Sequence, residues 1–164
     1  MSHALDAWNA LPEDAAISEM LEHCRSHAWA AAMVRARPAC DPRALLDAAD
    51  LAWARLGEED RKEAFAAHPR IGDRAAVGQG AREQAGTAHA SQETLDALAE
   101  ANREYERRCG RIFLVCATGK TADEMLAVCR QRLHNDPDTE FAVASEEQRK
   151  ITQLRLERWL AQIS

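Results

Sequence analysis

The 164-residue sequence contains no uninterrupted apolar run of 18 residues, no Cys-x-x-Cys pair and no surplus of basic residues. The first absence excludes a membrane-spanning helix, which needs about 20 mostly apolar residues to cross the hydrocarbon layer. The last argues against nucleic acid as a partner. With 27 acidic against 21 basic residues the formal charge is −6, whereas a phosphate-backbone binder needs clustered Lys and Arg. The five cysteines, at 24, 40, 109, 116 and 129, are odd in number and lack metal-ligand spacing. Buried free thiols are therefore expected, not disulfides or a metal centre. The start, Met1-Ser2-His3-Ala4-Leu5-Asp6, lacks the basic and apolar stretches of a secretory leader, and Ala161-Gln162-Ile163-Ser164 is not a peroxisomal address. A cytoplasmic protein is expected.

What is present suits a globular helical chain. Apolar residues make up 46% and charged residues 29%, and the length suffices for one real core. No repeat, low-complexity tract or linker divides it, so a single domain over residues 1–164 is expected. Asp41-Pro42 places a good N-cap before a Pro at N1 and opens an apolar pattern through Leu45, Leu46, Ala49 and Trp53. A polar-faced helix from Glu58 carries Phe65 and must end near His68, because the residue before Pro69 is biased away from the α region. Four glycines at 72, 78, 80 and 86 make residues 69–90 a loop-rich segment. Ser91 caps the next helix, with Leu95, Leu98, Asn102 and Tyr105 on one face and Gly110 as its terminator. Thr121-Ala122-Asp123-Glu124 reads as a capping box for a helix through Met125, Val128, Cys129 and Leu133. Asp138 is the expected cap of a long last helix carrying Phe141, Ala144, Ile151, Leu154 and Trp159. The run Ile112-Phe113-Leu114-Val115-Cys116-Ala117 is rich in β-formers, but no second such run offers it a partner. It reads as a buried connector whose unpaired backbone groups can meet a ligand. The expected class is all-α, a single-domain helical bundle with one irregular apolar connector.

Three places have the residues for chemistry. His68, at a helix end and fixed by Pro69, is held in one orientation and titrates near neutral pH. The plainer reading is a surface helix terminus whose His complements the helix dipole, and spacing alone leaves both open. Glu83 and Gln84 set a carboxylate beside an amide, which together can meet the donors and acceptors of a heterocycle; a solvated loop pair is the alternative. Arg155, between Leu154 and Leu156, is expected to be partly buried. It would then need an anion, either a substrate carboxylate or a protein Asp or Glu.

Three other features carry less. Gly119-Lys120-Thr121 ends like a phosphate-binding loop, but the glycine required five residues earlier is Leu114. His23 and His27 have i, i+4 spacing without a His-Glu-x-x-His order or an obvious third ligand. Met20, Met33 and Met125 read as core fillers.

Taken in order, the motifs resemble those of the 2-oxo-4-hydroxy-4-carboxy-5-ureidoimidazoline (OHCU) decarboxylases of urate degradation. The matching stretches are Phe65-Ala66-Ala67-His68-Pro69-Arg70-Ile71-Gly72, Glu83-Gln84-Ala85-Gly86, Asn102-Arg103-Glu104-Tyr105 and Ile112 to Lys120. Arg132-Leu133-His134-Asn135-Asp136 and Lys150-Ile151-Thr152-Gln153-Leu154-Arg155-Leu156 complete the set. The resemblance covers nearly the whole chain. It implies an all-α bundle that forms a homodimer, acts on a small-molecule substrate and uses no metal or organic cofactor. It further implies that His68 is the catalytic acid–base residue and that Pro69 shapes its pocket. Glu83 and Gln84 would contact the substrate's hydroxyl and ring, Arg155 would anchor it, and Phe113 and Val115 would line the site, Val115 mainly through its backbone. Two departures stand out: Gly80 occupies a place where many relatives carry Ser, and the loop between Ile71 and Glu83 is short.

The implied reaction is decarboxylation of the ureidoimidazoline to (S)-allantoin. The conjugated ring accepts the electrons released with carbon dioxide, so no external electron sink is required. A helical interaction module without catalysis is the alternative from another class. A hydrolase of a related ureido compound would want a metal or an activated water that the sequence does not supply.

Overall fold

The computed structural model describes residues 2–72 and 78–162. Among these, nine α-helices and one short 3-10 turn are present and no strand, so the chain is all-α as its periodicity predicts. No helix among the described residues is long and apolar enough to cross a membrane. The chain divides into two compact units, Met1–Ala64 with Arg149–Ser164, and Phe65–Gln148.

The first unit contains α1 (His3–Ala10), α2 (Glu13–Leu21), α3 (His27–Arg35), α4 (Pro42–Ala54) and most of α5 (Glu58–Ala66), with the C-terminal part of α9 (Pro137–Leu160). Asp41 caps α4 through its Oδ1, which accepts from the Ala44 N–H at 2.8 Å, and Pro42 stands at N1. Ser26 caps α3 in the same way, accepting from Trp29 N. The core is built on tryptophans whose indole N–H groups find backbone carbonyls: Trp8 donates to Ala16 at 3.0 Å and Trp29 to Ala49 at 3.1 Å. Each ring thereby buries its area without stranding a donor. Met20 and Met33 fill gaps between these rings, fully buried.

His23 is the strained member of this core. It is 4% exposed, its ring lies 5.4 Å from that of Trp159, Nε2 is 3.7 Å from the Glu19 carboxylate, and neither ring nitrogen has a hydrogen-bond partner among the described residues. Burial, reinforced by the Arg155 guanidinium, lowers its pKa to about 4. His27 is engaged elsewhere, paired with Glu63 on the surface. The two histidines of the i, i+4 pair thus serve separate structural ends.

The second unit contains the end of α5, α6 (Gly78–Glu83), the 3-10 turn Ala85–Thr87, α7 (Gln92–Cys109), α8 (Ala122–Arg132) and the N-terminal part of α9. Ser91 caps α7, and Gly110 ends it in the left-handed conformation with φ 70°, which a glycine adopts without steric cost. The Thr121–Glu124 capping box is complete in both directions. The cap of α9 is Asp136, not Asp138: its Oδ1 accepts from Thr139 N at 2.9 Å, and Pro137 takes the N1 position. This is the Asp-Pro pattern of α4 repeated. The stretch 69–90 also holds more helix than its glycines suggest, in α6 and the 3-10 turn. Of the cysteines, 24, 116 and 129 are buried and free as expected, whereas Cys40 is exposed.

At the centre of this unit lies a buried ion pair. Arg132 of α8 donates from Nε to Glu140 of α9 at 2.9 Å, and both residues are almost wholly buried. The Tyr105 hydroxyl donates to the same carboxylate oxygen, and Asn135 Nδ2 donates to the other at 3.0 Å. Burial alone would raise the Glu140 pKa, but Arg132, Tyr105 and Asn135 hold it below the ordinary range. The spare arm of Arg132 donates to the Leu114 carbonyl at 2.6 Å.

Two predictions follow from these cores. A His that is protonated less readily when folded adds stability at high pH and loses it as pH falls. For His23 the loss runs from about pH 6.5, its unfolded value, down to about pH 4 and totals about 3 kcal/mol. Urea midpoints at pH 7, 5.5 and 4 should show this loss in the wild type and much less of it in His23→Phe; equal losses in both would rule His23 out. Glu140, also acid-sensitive, begins to lose its contribution only near its unfolded value of 4.5 and continues below it, so it overlaps this window at the acid end alone and is common to both proteins. Separately, Arg132→Met leaves a buried carboxylate without its cation. It should cost roughly 3–5 kcal/mol in denaturant unfolding at pH 7, and a cost under about 1 kcal/mol would contradict the role assigned to the pair.

Candidate active site

His68 stands two residues beyond α5, where the approach to Pro69 ends the helix; its N–H still reaches Phe65 O at 3.4 Å. Half-buried, its ring Nε2 lies 2.6 Å from Oε1 of Gln148, a side chain of α9 with 0% exposure. A carbonyl oxygen at that distance accepts a hydrogen bond, so Nε2 carries the proton that is shared. The His is therefore held by a specific partner and is more than a helix terminus.

The turn after His68 is fastened to the segment carrying Glu83 and Gln84. The Gln84 amide spans it: Oε1 accepts from Gly72 N at 2.9 Å and Nε2 donates to Arg70 O at 3.3 Å. Asn102 of α7 holds the residue between, donating to Ile71 O at 3.1 Å. Pro69 backs onto α6 at Gly80, where an added Cβ would stand 3.0 Å from Pro69 Cγ. Gln84 thus positions the His68 turn, and a second lone pair and a second amide proton remain chemically suited to a ligand. Glu83, beside it, is buried.

The connector 112–117, whose composition is compatible with an extended or a helical path, forms neither helix nor strand and is buried from Phe113 to Ala117. Three of its carbonyls are taken: Leu114 by Arg132, Cys116 by the Lys120 ammonium at 3.0 Å, and Ala117 by the Lys120 N–H. Lys120, the residue that mimics a phosphate-loop lysine, is thus turned back on its own chain. The Phe113 ring meets Tyr105 edge-on at 5.4 Å and lies 4.8 Å below the Arg132 guanidinium. Its ring is therefore part of the ion-pair core. Val115 is 2% exposed, and neither its N–H nor its carbonyl has a partner among the described residues. Buried backbone groups are rarely left so, and a ligand is the physical complement.

The elements meet around Cys116. Burial raises its thiol pKa, Glu147 and Glu83 add to this, and Lys120 and the Thr118 N–H oppose it. Carboxylates from α6 and α9 thus act on the connector. The 3-10 turn that follows α6 comes closest at Gly86, where an added Cβ would stand 1.9 Å from the carbonyl oxygen of Lys120, just after the connector. Of the residues singled out from sequence, His68, Pro69, Glu83, Gln84, Phe113 and Val115 belong to this unit, linked by the contacts just described. Arg155 belongs to the other unit, half-buried, with NH1 donating to His23 O at 3.4 Å. A cavity of about 110 Å³ between Trp8, Met33, Pro38 and Leu45 holds none of them.

Gln148 was not singled out from sequence, although a signal was present. It falls four residues after Ala144 and three before Ile151, on the apolar stripe of the last helix, where a polar side chain must be hydrogen-bonded. Arg132 and Glu140 carried no such mark, since charged residues on helices are usually solvated.

The two glycine contacts predict an order of damage. Gly86→Ala drives a Cβ into a backbone carbonyl, which cannot yield without separating the Glu83 segment from the connector. Gly80→Ala meets only ring carbons of Pro69. Thermal melts should show the Gly86 variant as the less stable by about 1–3 kcal/mol; the opposite order would refute the packing described.

Comparisons with known proteins identify the family. The chain is 34% identical over 144 residues to the uric acid degradation bifunctional protein TTL of Arabidopsis thaliana, covering 81% of this chain and 44% of that protein. It spans less than half the length of the curated relatives it matches. A crystal structure of OHCU decarboxylase in the presence of (S)-allantoin superposes with a TM-score of 0.80 at 34% identity, covering 88% of this chain and 98% of that one. A crystal structure of (S)-allantoin synthase shares the fold, with a TM-score of 0.73 at 20% identity over 94% of this chain and 53% of that one. The family OHCU decarboxylase matches residues 9–157, and the chain belongs to it.

Proposed function

We propose that the chain decarboxylates 2-oxo-4-hydroxy-4-carboxy-5-ureidoimidazoline to (S)-allantoin in urate degradation, with His68 as its acid–base residue. The observation that carries this reading is the pairing of His68 with a fully buried amide, in a unit that also has an unengaged backbone at Val115. An imidazole held in one orientation suits proton transfer near neutral pH. Unpaired backbone donors and acceptors suit a flat, polar heterocycle. The match of 34% identity and TM-score 0.80 to an OHCU decarboxylase crystallised with (S)-allantoin supports the substrate class.

The chemistry follows from the substrate. A carboxylate and a hydroxyl share one ring carbon. When the C–CO₂ bond breaks, its electron pair enters the conjugated ring and carbon dioxide leaves. One proton must then be returned to one face of the ring, and His68 supplies it. Fixed donors orient the carboxylate out of the ring plane so that the breaking bond overlaps the ring π system. In this reading Glu83 and Gln84 contact the hydroxyl and the ring, Pro69 and Phe113 shape the walls, Val115 contributes its backbone and Arg155 anchors the substrate. The full chain works as one decarboxylase, as a cytoplasmic homodimer, without metal or organic cofactor.

The test supplies substrate freshly made by urate oxidation, in buffer containing a chelator, and follows the optical activity of the allantoin formed. Wild type should accelerate formation of the (S) product. His68→Asn should keep its melting temperature and lose about 10²–10⁴-fold in turnover, the usual worth of general acid–base catalysis. Near-wild-type turnover with a lowered melting temperature would show that His68 is structural.

A further inference from the structure

We propose that Gln148 is the positioning residue of the site: its side-chain carbonyl holds neutral His68 in the Nε2–H form, making Nδ1 the nitrogen that exchanges the proton. This deepens the function proposed above and rests on it for the role of His68, but the tautomer itself is independent of any reaction. The geometry is specific. Nε2 and Oε1 are 2.6 Å apart, Gln148 is 0% exposed, and it lies on the middle turns of a 24-residue helix. An amide this deep is costly to retain unless it is hydrogen-bonded, and a ring nitrogen of His68 meets that requirement.

The chemistry explains why an amide suits this place. A neutral imidazole has one N–H and one lone pair, and whichever nitrogen bonds to an acceptor keeps the proton. With Oε1 on Nε2, the lone pair is at Nδ1. On protonation Nδ1 gains the hydrogen and the Nε2–H bond to Gln148 becomes charge-assisted, so the ring does not have to turn between its two states. A carboxylate in place of the amide would stabilise the imidazolium strongly and lift the pKa of His68. The amide orients the ring with a far smaller effect on its proton affinity. For a group that must both hold and release a proton near neutral pH, that balance is favourable.

Charged side chains on the surrounding elements also bear on this region: Glu83 of α6, Lys120 after the connector and Glu147 of α9 all act on Cys116, and Arg70 follows His68 closely. These are the same in every Gln148 variant, so differences between variants report residue 148.

The primary test is ¹⁵N NMR of the whole protein labelled at histidine, with the His68 resonance assigned by its loss in His68→Asn. Above the pKa, wild type should show the Nε2–H pattern, a protonated-type Nε2 and a lone-pair Nδ1. The Nδ1–H pattern, or a mixture, overturns the proposal without reference to activity. Gln148→Leu should release the tautomer into a mixture, and Gln148→Glu should keep Nε2–H while raising the His68 pKa by at least one unit. In the decarboxylation assay Gln148→Leu should lower kcat about tenfold with little change in KM. Gln148→Glu should recover part of kcat and move the acidic limb of its pH profile to higher pH. A Gln148→Leu protein with the wild-type tautomer and His68 pKa would refute the positioning role. If the wild-type chain does not decarboxylate the substrate at all, the function fails while the NMR arm still decides the tautomer.

Discussion

The connector between α7 and α8 depends on one buried guanidinium. Residues 112–117 form neither helix nor strand, so no regular ladder satisfies their backbone, and an extended segment in an apolar interior is unstable by itself. Arg132 resolves part of this by donating to Leu114 O while its other arm pairs with Glu140. The charge is expensive to bury, and its retention requires nearly every donor and acceptor to be used. Here Tyr105 and Asn135 complete the carboxylate, and the rings of Phe113 and Tyr105 lie within 4.8 and 5.8 Å of the guanidinium. Helices α7, α8 and α9 are thereby tied to the connector at one point, in the same unit as His68 and Gln148. Hydrophobic packing by Leu98, Met125 and Cys129 fills the space around it, while the direction of the chain at Leu114 is set by the ion pair.

That fixed point has a consequence one residue later. With the Leu114 carbonyl turned to Arg132 and the Cys116 carbonyl to Lys120, the two taken groups flank Val115, whose own N–H and carbonyl are left unengaged among the described residues. The polarity of a binding surface can thus be produced by backbone alone, without placing a charged side chain in it. An apolar Val is compatible with the role proposed for this position: its side chain joins the core, and a ligand would meet only its peptide unit.

Local chemistry was well legible in the sequence, and long-range pairing was not. The caps at Asp41, Ser91 and Thr121, the glycine stop at 110 and the end of α5 before Pro69 each depend on residues within a few positions of one another. At the last helix the cap is Asp136 in place of the expected Asp138, and Asp136-Pro137 repeats the pattern of Asp41-Pro42. The helical turn at α6 was hidden because glycine's low propensity masked contacts with Pro69 and the connector that come from elsewhere in the chain. Within the site, His68 was marked by its proline and the connector by its composition. The partner of His68, 80 residues away, and the Arg132–Glu140 pair had no local signature, since a buried charge on a helix looks like a solvated one until its partner is known.

Gly80 shows how a departure from a family pattern is absorbed. The resemblance drawn from the sequence implies a Ser at this place, where this chain has Gly. The space a Cβ would need is occupied instead, with Pro69 Cγ 3.0 Å and Cδ 3.4 Å from its position. Helix α6 therefore approaches the His68 turn more closely than any side chain at position 80 would permit without movement. The same turn is held from its other side by the Gln84 amide and by Asn102. Close packing at Gly80 thus backs the turn that carries His68. Packing and neutral amides contribute to the orientation of His68: Gly80 against Pro69, Gln84 on the backbone of 70 and 72, and Gln148 on the ring. A neutral amide orients an imidazole with less pull on its proton than a carboxylate would exert, which suits the acid–base role proposed for His68.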